Sequence, residues 1–250
     1  SLLIMTEEPY RWLEAIGNRR DYVREQLKGG SPVFGASLTD GILLLGVGIG
    51  QSKVFEIFDR QAMAGLGHPA DIEKIRQAAI DAAHTEAFTR APEDVSLRRL
   101  VSFGISNQLK TNFEQLFTAP FLIELLLAEL GSTPDHDLFF RLHFDGSFQL
   151  HTGGIVVCAS QPEPESAAQQ WLSSAAQNQA DRAVVADLFL QAWWILQQNK
   201  SFTEGMPDEK ERQSGWRAEV KDKTVEIGWL ERNSPRAVRY KTLTLSDLGL

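Results

Sequence analysis

Apolar and polar residues follow one another along this chain in blocks whose spacing changes from helical to strand-like and back. Residues 10–28 carry apolar side chains at roughly helical spacing, with Arg and Glu between them: Trp12, Leu13, Ile16, Tyr22, Val23 and Leu27. This spacing predicts an amphipathic N-terminal helix. The glycine pair at 29–30 is typical of the end of such a helix.

The rest of the pattern predicts groups of strands and groups of helices, with polar residues 200–223 forming a loop. In order, the predicted elements are strands 33–38, 42–47, 54–58 and 62–66, helices 69–88 and 94–116, strands 121–129, 138–144, 148–151 and 154–159, helices 166–176 and 181–197, and strands 224–230 and 237–243. Strands and helices do not alternate one by one, which disfavours a parallel sheet. We therefore expect an α+β fold in which two antiparallel sheets lie between two helix layers. We assign residues 1–250 to a single domain, with the sandwich over 31–250.

Composition narrows the possible partners and compartment. The 250 residues carry a formal net charge of −8, which disfavours a protein whose main task is to cover nucleic-acid phosphates. No apolar run approaches the ~18 residues that a membrane-spanning helix needs, and the first residues do not resemble a signal peptide. We expect a cytoplasmic protein with neither a nucleic-acid nor a membrane partner.

Cysteine and histidine give little support to a metal or redox site. The single cysteine, Cys158, cannot form an internal disulfide, and its apolar surroundings predict a small buried residue on a strand. The histidines lack the close spacing of a zinc enzyme, although His143 and His151 lie on neighbouring predicted strands and can converge. We predict no metal and no cofactor.

Several short segments, taken in order, resemble proteasome subunits, and in particular bacterial α-type subunits of the actinobacterial kind. The segment Lys53-Val-Phe-Glu-Ile-Phe-Asp59, followed by Ala64-Gly65-Leu66-Gly67 and a long helix, is similar to the proteasome subunit signature. Further similar segments are residues 18–27, Gly30-Ser31, Asp40-Gly41, 93–95, 127–130 and 144–147. The resemblance extends from about Asn18 to Ala159.

The resemblance implies a fold and a role. The fold is a four-layer αββα sandwich of the Ntn-hydrolase type with an extra N-terminal helix. The role is that of an α-type subunit without a protease site of its own, which forms a ring of seven copies. Such a ring stacks on catalytic β-type subunits and gates substrate entry into a threonine-type protease complex for ATP-dependent degradation.

The family's catalytic positions indicate that this chain is not itself a protease. Catalytic subunits use an N-terminal nucleophile whose own amine accepts the hydroxyl proton, assisted by a nearby lysine. By the resemblance, these positions are Ser31 and Lys53, while the acidic position of the second strand is Val47, which cannot ionise. A full helix precedes Ser31, and Pro32 restricts the backbone rearrangement that self-cleavage requires.

The resemblance gives Lys53 a different role. In α-type rings, the matching lysine lines a pocket between neighbouring subunits that receives the C-terminal tail of an ATPase activator. A lysine ammonium suits a terminal carboxylate. By the same alignment, Gly30 allows close backbone approach to the tail and Leu66 provides an apolar contact.

Two alternatives remain open. The chain is a self-processing Ntn hydrolase with Ser31 as its nucleophile and Lys53 as its partner, or it is a free-standing ring protein without a protease partner. The first alternative predicts a chain that begins at Ser31. The second differs from the main hypothesis only in the absence of a β-type partner.

Overall fold

The first element is α1 (Leu2–Leu27) in the computed structural model, which describes residues 2–177 and 181–250. This helix was predicted over residues 10–28, and it begins earlier than the sequence pattern indicated. Val23 and Leu27 are buried, whereas Tyr10 and Leu13 are exposed. Helix α1 therefore packs on the core through its C-terminal half.

The described residues form ten strands in two sheets. In chain order they are β1 (Val33–Leu38), β2 (Gly41–Gly48), β3 (Val54–Phe58), β4 (Gln61–Gly67), β5 (Ile123–Glu129), β6 (Leu138–His143), β7 (Phe148–Thr152), β8 (Ile155–Cys158), β9 (Thr224–Glu231) and β10 (Tyr240–Leu243). The first sheet has the order β10-β9-β2-β1-β8 and the second β3-β4-β5-β6-β7, with antiparallel neighbours throughout. Contacts of β9 with β3 and β4, and of β8 with β5 and β6, stack the two sheets face to face.

Helices cover the outer face of each sheet. They are α2 (Pro69–Thr89), α3 (Leu97–Leu100) and α4 (Ser106–Glu114) on the second sheet, and α5 (Pro162–Ala175), α6 (Arg182–Gln197) and α7 (Glu209–Glu219) on the first. The buried side chains of α2 recur every three or four residues, and α2 confirms the helix predicted over 69–88. The helix predicted over 94–116 is interrupted, because a π-helical segment, Val101–Ile105, joins α3 to α4.

Three apolar clusters hold these four layers together. One lies between α5–α7 and the first sheet, one between the two sheets, and one between the second sheet and α2–α4. The middle cluster also receives Val23 and Leu27 of α1. The expected αββα sandwich with an added N-terminal helix is confirmed. The assignment to one domain stays a prediction, and it includes residues 1 and 178–180, which lie outside the described residues.

The loop predicted over residues 200–223 is partly wrong, because this stretch contains α7. Asp208 caps the helix, and its carboxylate accepts the N–H of Glu211 at 2.8 Å. Trp216 is the only buried residue of α7, so the helix carries almost no apolar periodicity. Polar contacts dock it on α6, including Arg212 Nε to Gln191 Oε1 at 2.7 Å. Asp208, a residue type common at helix N-caps, was the sequence signal that could have indicated this helix.

Candidate functional site

A cavity of about 440 Å³ lies where the α1–β1 linker, the β2–β3 connection and α6 meet. Four of the residues singled out from the sequence line it, namely Gly30, Ser31, Val47 and Lys53. Trp193 of α6 and Lys223 also contribute to its wall. The fold thus brings together residues that are more than 20 positions apart in the chain.

Lys53 lies just before β3, and its side chain reaches back towards the linker. The residue is only 9% exposed. Its ammonium donates to the carbonyl oxygen of Ser31 at 2.5 Å and to that of Val47 at 3.4 Å. An ammonium has three N–H donors and no acceptor, so these two bonds leave one donor for another partner.

The surroundings of Lys53 disfavour its charged form. Burial lowers the pKa of Lys53 to about 8, while Cys158 and Glu226 act in the opposite direction. Burial has this effect because removing an ammonium from water costs more than removing a neutral amine. The site therefore holds a cation that is incompletely compensated.

Ser31 is fixed from two sides. Its hydroxyl accepts the indole N–H of Trp193 at 2.9 Å, and its carbonyl oxygen accepts the Lys53 ammonium. Trp193 is itself 1% exposed. The serine lies in the linker between α1 and β1, where its amide nitrogen is part of a peptide bond and cannot act as a free amine.

Val47, to which the resemblance assigns the acidic position of the second strand, is an almost fully buried residue of β2. The carboxylate close to Lys53 comes instead from Glu226 of β9. Glu226 pairs with Gly46 in the β2–β9 ladder, and its Oε2 accepts the backbone N–H of Lys53 at 2.5 Å. Sequence reasoning missed Glu226 because the register between strands 180 residues apart has no local signal.

Gly30 and Leu66 are in contact, but only Gly30 faces the cavity. A Cβ atom on Gly30 would lie 2.7 Å from Leu66 Cδ1 and 3.0 Å from the carbonyl oxygen of Leu27. Leu66 is completely buried in the cluster between the sheets. In this structure, Leu66 therefore lies beneath Gly30 and is covered by it.

A second cavity, of about 360 Å³, brings His143 and His151 together, as their neighbouring strands allowed. His143 Nδ1 lies 3.0 Å from Glu124 Oε2, and its Nε2 lies 3.0 Å from Gln149 Oε1. Across residues 2–177 and 181–250, no group of three or more metal-ligating side chains is present. Cys158 is fully buried on β8, which confirms its prediction as a core residue.

No helix in the described part of the chain is both long enough and apolar enough to cross a bilayer.

Known proteins similar to this chain form a consistent group. It is 33% identical to "Proteasome subunit alpha" of Paenarthrobacter aurescens over 145 residues, which are 56% of this chain and 60% of that protein. The protein of the same name from Pseudarthrobacter chlorophenolicus is 32% identical over 163 residues, or 63% of this chain and 67% of that protein. A third, from Streptomyces scabiei, is 25% identical over 232 residues, or 92% of this chain and 85% of that protein. No protein-family model matches the chain. The first of these alignments covers less than two thirds of the relative's own length.

Proposed function

Because this chain belongs to the family of bacterial proteasome α subunits, we propose that it is a non-catalytic subunit of a cytoplasmic protease complex. It forms a ring, assembles with catalytic β-type subunits, and controls substrate entry for ATP-dependent protein degradation. The ring has seven copies, and the chain has no protease activity alone.

The observation that carries the non-catalytic role is the environment of Ser31. Its amide is within the chain, its hydroxyl is held by Trp193, and its carbonyl oxygen is held by Lys53. An N-terminal nucleophile needs a free amine beside the hydroxyl. Val47 adds to this argument, because an apolar side chain cannot orient or ionise a catalytic group.

Helix α1 supports the proposed ring. Arg19 donates to the carbonyl oxygens of Thr118 and Asn112, at 2.7 and 2.9 Å, and fixes the helix on its own chain. The preceding turns expose Trp12 and Leu13, at 46% and 58%. Adjacent exposed apolar side chains of this kind mark protein contacts, and the proposed occupant is the neighbouring copy of this chain.

The Lys53 cavity is the proposed site for the C-terminal tail of an ATPase activator. The free N–H donor of Lys53 accommodates the terminal carboxylate, and Gly30 lets the tail approach the backbone. Leu66 has an indirect role, since it packs beneath Gly30. We propose that the neighbouring copy in the ring completes the wall of this cavity.

Native mass spectrometry tests the assembly. The untagged chain is measured alone and after co-expression with the β-type subunit of the same genome. We expect rings of uncleaved chains alone and a larger stacked complex in co-expression. A variant with Trp12→Glu and Leu13→Glu should lose the ring, while Phe88→Glu, at an exposed aromatic of α2, should retain it.

Each other outcome supports a different alternative. A chain that stays monomeric at all concentrations excludes the ring. A mature chain that begins at Ser31 makes the protein a self-processing hydrolase. Rings that never bind a β-type subunit support the alternative of a free-standing ring protein without a protease partner.

A peptide-binding measurement tests the tail site. Fluorescent octapeptides of varied sequence, each with a free C-terminus and matched to its C-terminal amide, are titrated against the assembled ring. We expect a subset to bind only as free acids, and Lys53→Met should weaken their binding at least about tenfold, because a charge-assisted bond contributes about 1.5–3 kcal/mol. Lys221→Met is the control, because Lys221 is exposed and lies two residues before Lys223 of the cavity wall. Equal binding of acids and amides would exclude a carboxylate site.

A further inference from the structure

Glu226 lies beside Lys53, although no sequence pattern points to it. It is a half-buried residue of β9, opposite Gly46 of β2. Its carboxylate accepts the backbone N–H of Lys53, which fixes one oxygen at the base of the side chain whose ammonium reaches the cavity. The backbone N–H of Lys53 thus fixes the Glu226 carboxylate close to the Lys53 side chain.

The charged groups around Lys53 leave Glu226 as its main counter-charge. Glu226 and Cys158 are the groups that act on the Lys53 ammonium within the described part of the chain. Complete burial raises the pKa of the Cys158 thiol far above its usual range, so this thiol is neutral at physiological pH. The carbonyl oxygens of Ser31 and Val47 accept hydrogen bonds from the ammonium but carry only partial charges.

The other cation of the cavity does not compete for Glu226. Lys223 Nζ lies 3.1 Å from Glu219 Oε1 and 3.5 Å from Asp222 Oδ1. Two carboxylates, those of Glu226 and of Glu56 on β3, act on the hydroxyl of Tyr240 on β10. Burial raises the pKa of Tyr240 to about 12, so it stays neutral.

We propose that Glu226 is a positioning residue that keeps the buried Lys53 ammonium charged, and thereby sets the upper limit of the pH range in which the cavity binds a terminal carboxylate. The second half of this statement rests on the proposed tail site. The first half is a property of the chain alone. A carboxylate ligand needs the ammonium, since a neutral amine offers no charge to pair with it.

Glu226→Gln separates charge from shape. The glutamine amide oxygen can still accept the Lys53 N–H, so the backbone contact is retained while the negative charge is lost. Glu56→Gln is the matched control, because it removes one carboxylate from the same edge of the sandwich without a contact to Lys53. Glu226→Asp retains the charge and should retain most of the effect.

Competitive acetylation measures the protonation of Lys53 directly. The assembled protein is labelled with trace acetic anhydride from pH 6 to 11, and the Lys53 peptide is quantified by mass spectrometry. We expect a labelling midpoint at about pH 8 in the original protein, lowered by about one pH unit in Glu226→Gln. Glu56→Gln should leave it in place. An unchanged midpoint in Glu226→Gln, or equal shifts in both variants, would overturn the proposal.

The pH profile of peptide binding then tests the functional half. For an octapeptide that binds as a free acid, the pH at which affinity falls by half should move down in Glu226→Gln by the same amount as the labelling midpoint. A profile that does not move, although the labelling midpoint does, overturns this half. If no octapeptide binds the original protein, the tail site fails while the labelling result still decides the role of Glu226.

Discussion

Two buried cations, Arg141 and Lys53, are partnered in opposite ways. Arg141 of β6 has a side chain that is 4% exposed, and Lys53 is 9% exposed. Both lie in the sandwich, and removing either cation from water carries a large cost. The two cations differ in whether carboxylates of the same chain neutralise their charge.

Arg141 has a complete set of partners. Its guanidinium contacts Glu124 at 2.7 Å and Glu165 at 2.7 and 2.9 Å, and it also donates to the carbonyl oxygen of Ala159 at 3.0 Å. Burial acts to lower the pKa of Arg141, but the surrounding acidic groups, Glu124 and Glu165 among them, raise it well above its usual value. This cation is a structural element of the sandwich.

Lys53 differs because, among residues 2–177 and 181–250, no carboxylate contacts its ammonium. Glu226 meets its backbone N–H instead, and burial prevails over the opposing charges. A cation in this state gains from any carboxylate that can enter the cavity. The difference in partners gives Arg141 a structural role, and it supports the proposed ligand site at Lys53.

Removal of Arg141 should have the largest effect on stability. Arg141→Met leaves Glu124 and Glu165 without their cation, and breaking a buried ion pair in this way costs about 3–5 kcal/mol. We expect that loss in the free energy of unfolding, measured in urea at a matched assembly state. Adding Glu124→Gln and Glu165→Gln should restore much of it. A loss below about 1 kcal/mol would show that the network contributes little.

Lys53→Met should affect stability in a pH-dependent manner. The folded-state pKa of Lys53, about 8, lies below the ordinary value of 10.5. Between these values the unfolded chain binds more protons than the folded one, so folding becomes more favourable as pH rises, by up to about 1.4 kcal/mol per pH unit. We expect the original protein to gain stability relative to Lys53→Met from pH 8 to 10.

Near pH 7, where Lys53 is charged in both states, Lys53→Met should be neutral or stabilising, in contrast to Arg141→Met. Urea unfolding at pH 7, 8, 9 and 10 measures both variants. If the free energies of unfolding of the original protein and of Lys53→Met change equally with pH across this range, the pKa of Lys53 is not lowered.

Trp193→Phe should cost about 1 kcal/mol, the net contribution of one hydrogen bond. The indole N–H of Trp193 donates to the Ser31 hydroxyl at 2.9 Å, and phenylalanine lacks this donor. A double-mutant cycle with Ser31→Ala isolates the bond, because the two substitutions should not add if they remove the same interaction. Additive losses in urea would instead assign the cost to the smaller ring of phenylalanine.

The sequence predicted the elements whose signals are local. Strands 33–38 and 42–47 were predicted from two neighbouring apolar runs, and β1 and β2 pair with each other from Leu38 and Gly41 onwards. The apolar spacing of α2 gave its buried face. Helix α7 was not predicted, because Trp216 is its only buried residue. Apolar periodicity cannot reveal a helix that docks through polar contacts.

The candidate site was only partly predictable. Gly30, Ser31 and Lys53 came from a resemblance, and the fold places them around one cavity. Trp193 and Glu226 complete the site through contacts 162 and 173 residues apart. Such contacts depend on helix docking and strand register, which the order of residues does not state.

His143 should have the smallest effect, with a sign set by its carboxylate partner. Burial acts to lower the pKa of His143, but the hydrogen bond to Glu124 and the charge of Glu124 prevail and raise it. A raised folded-state pKa gives stability that is present below the unfolded pKa of about 6.5 and is lost as pH rises through the folded value. His143→Gln should therefore cost up to about 1 kcal/mol at pH 5.5 and little at pH 9.

His151, in the same cavity, should show the reverse. Burial lowers the pKa of His151, and no hydrogen bond to its ring is present among the described residues. Protonation below the unfolded pKa then disfavours the folded state, so His151→Gln should gain stability relative to the original protein as pH falls from 7 to 5.5. Urea unfolding at both pH values measures the two variants together. If both histidine variants lose stability equally at pH 5.5, the opposite shifts are wrong, and the cavity raises the pKa of both imidazoles.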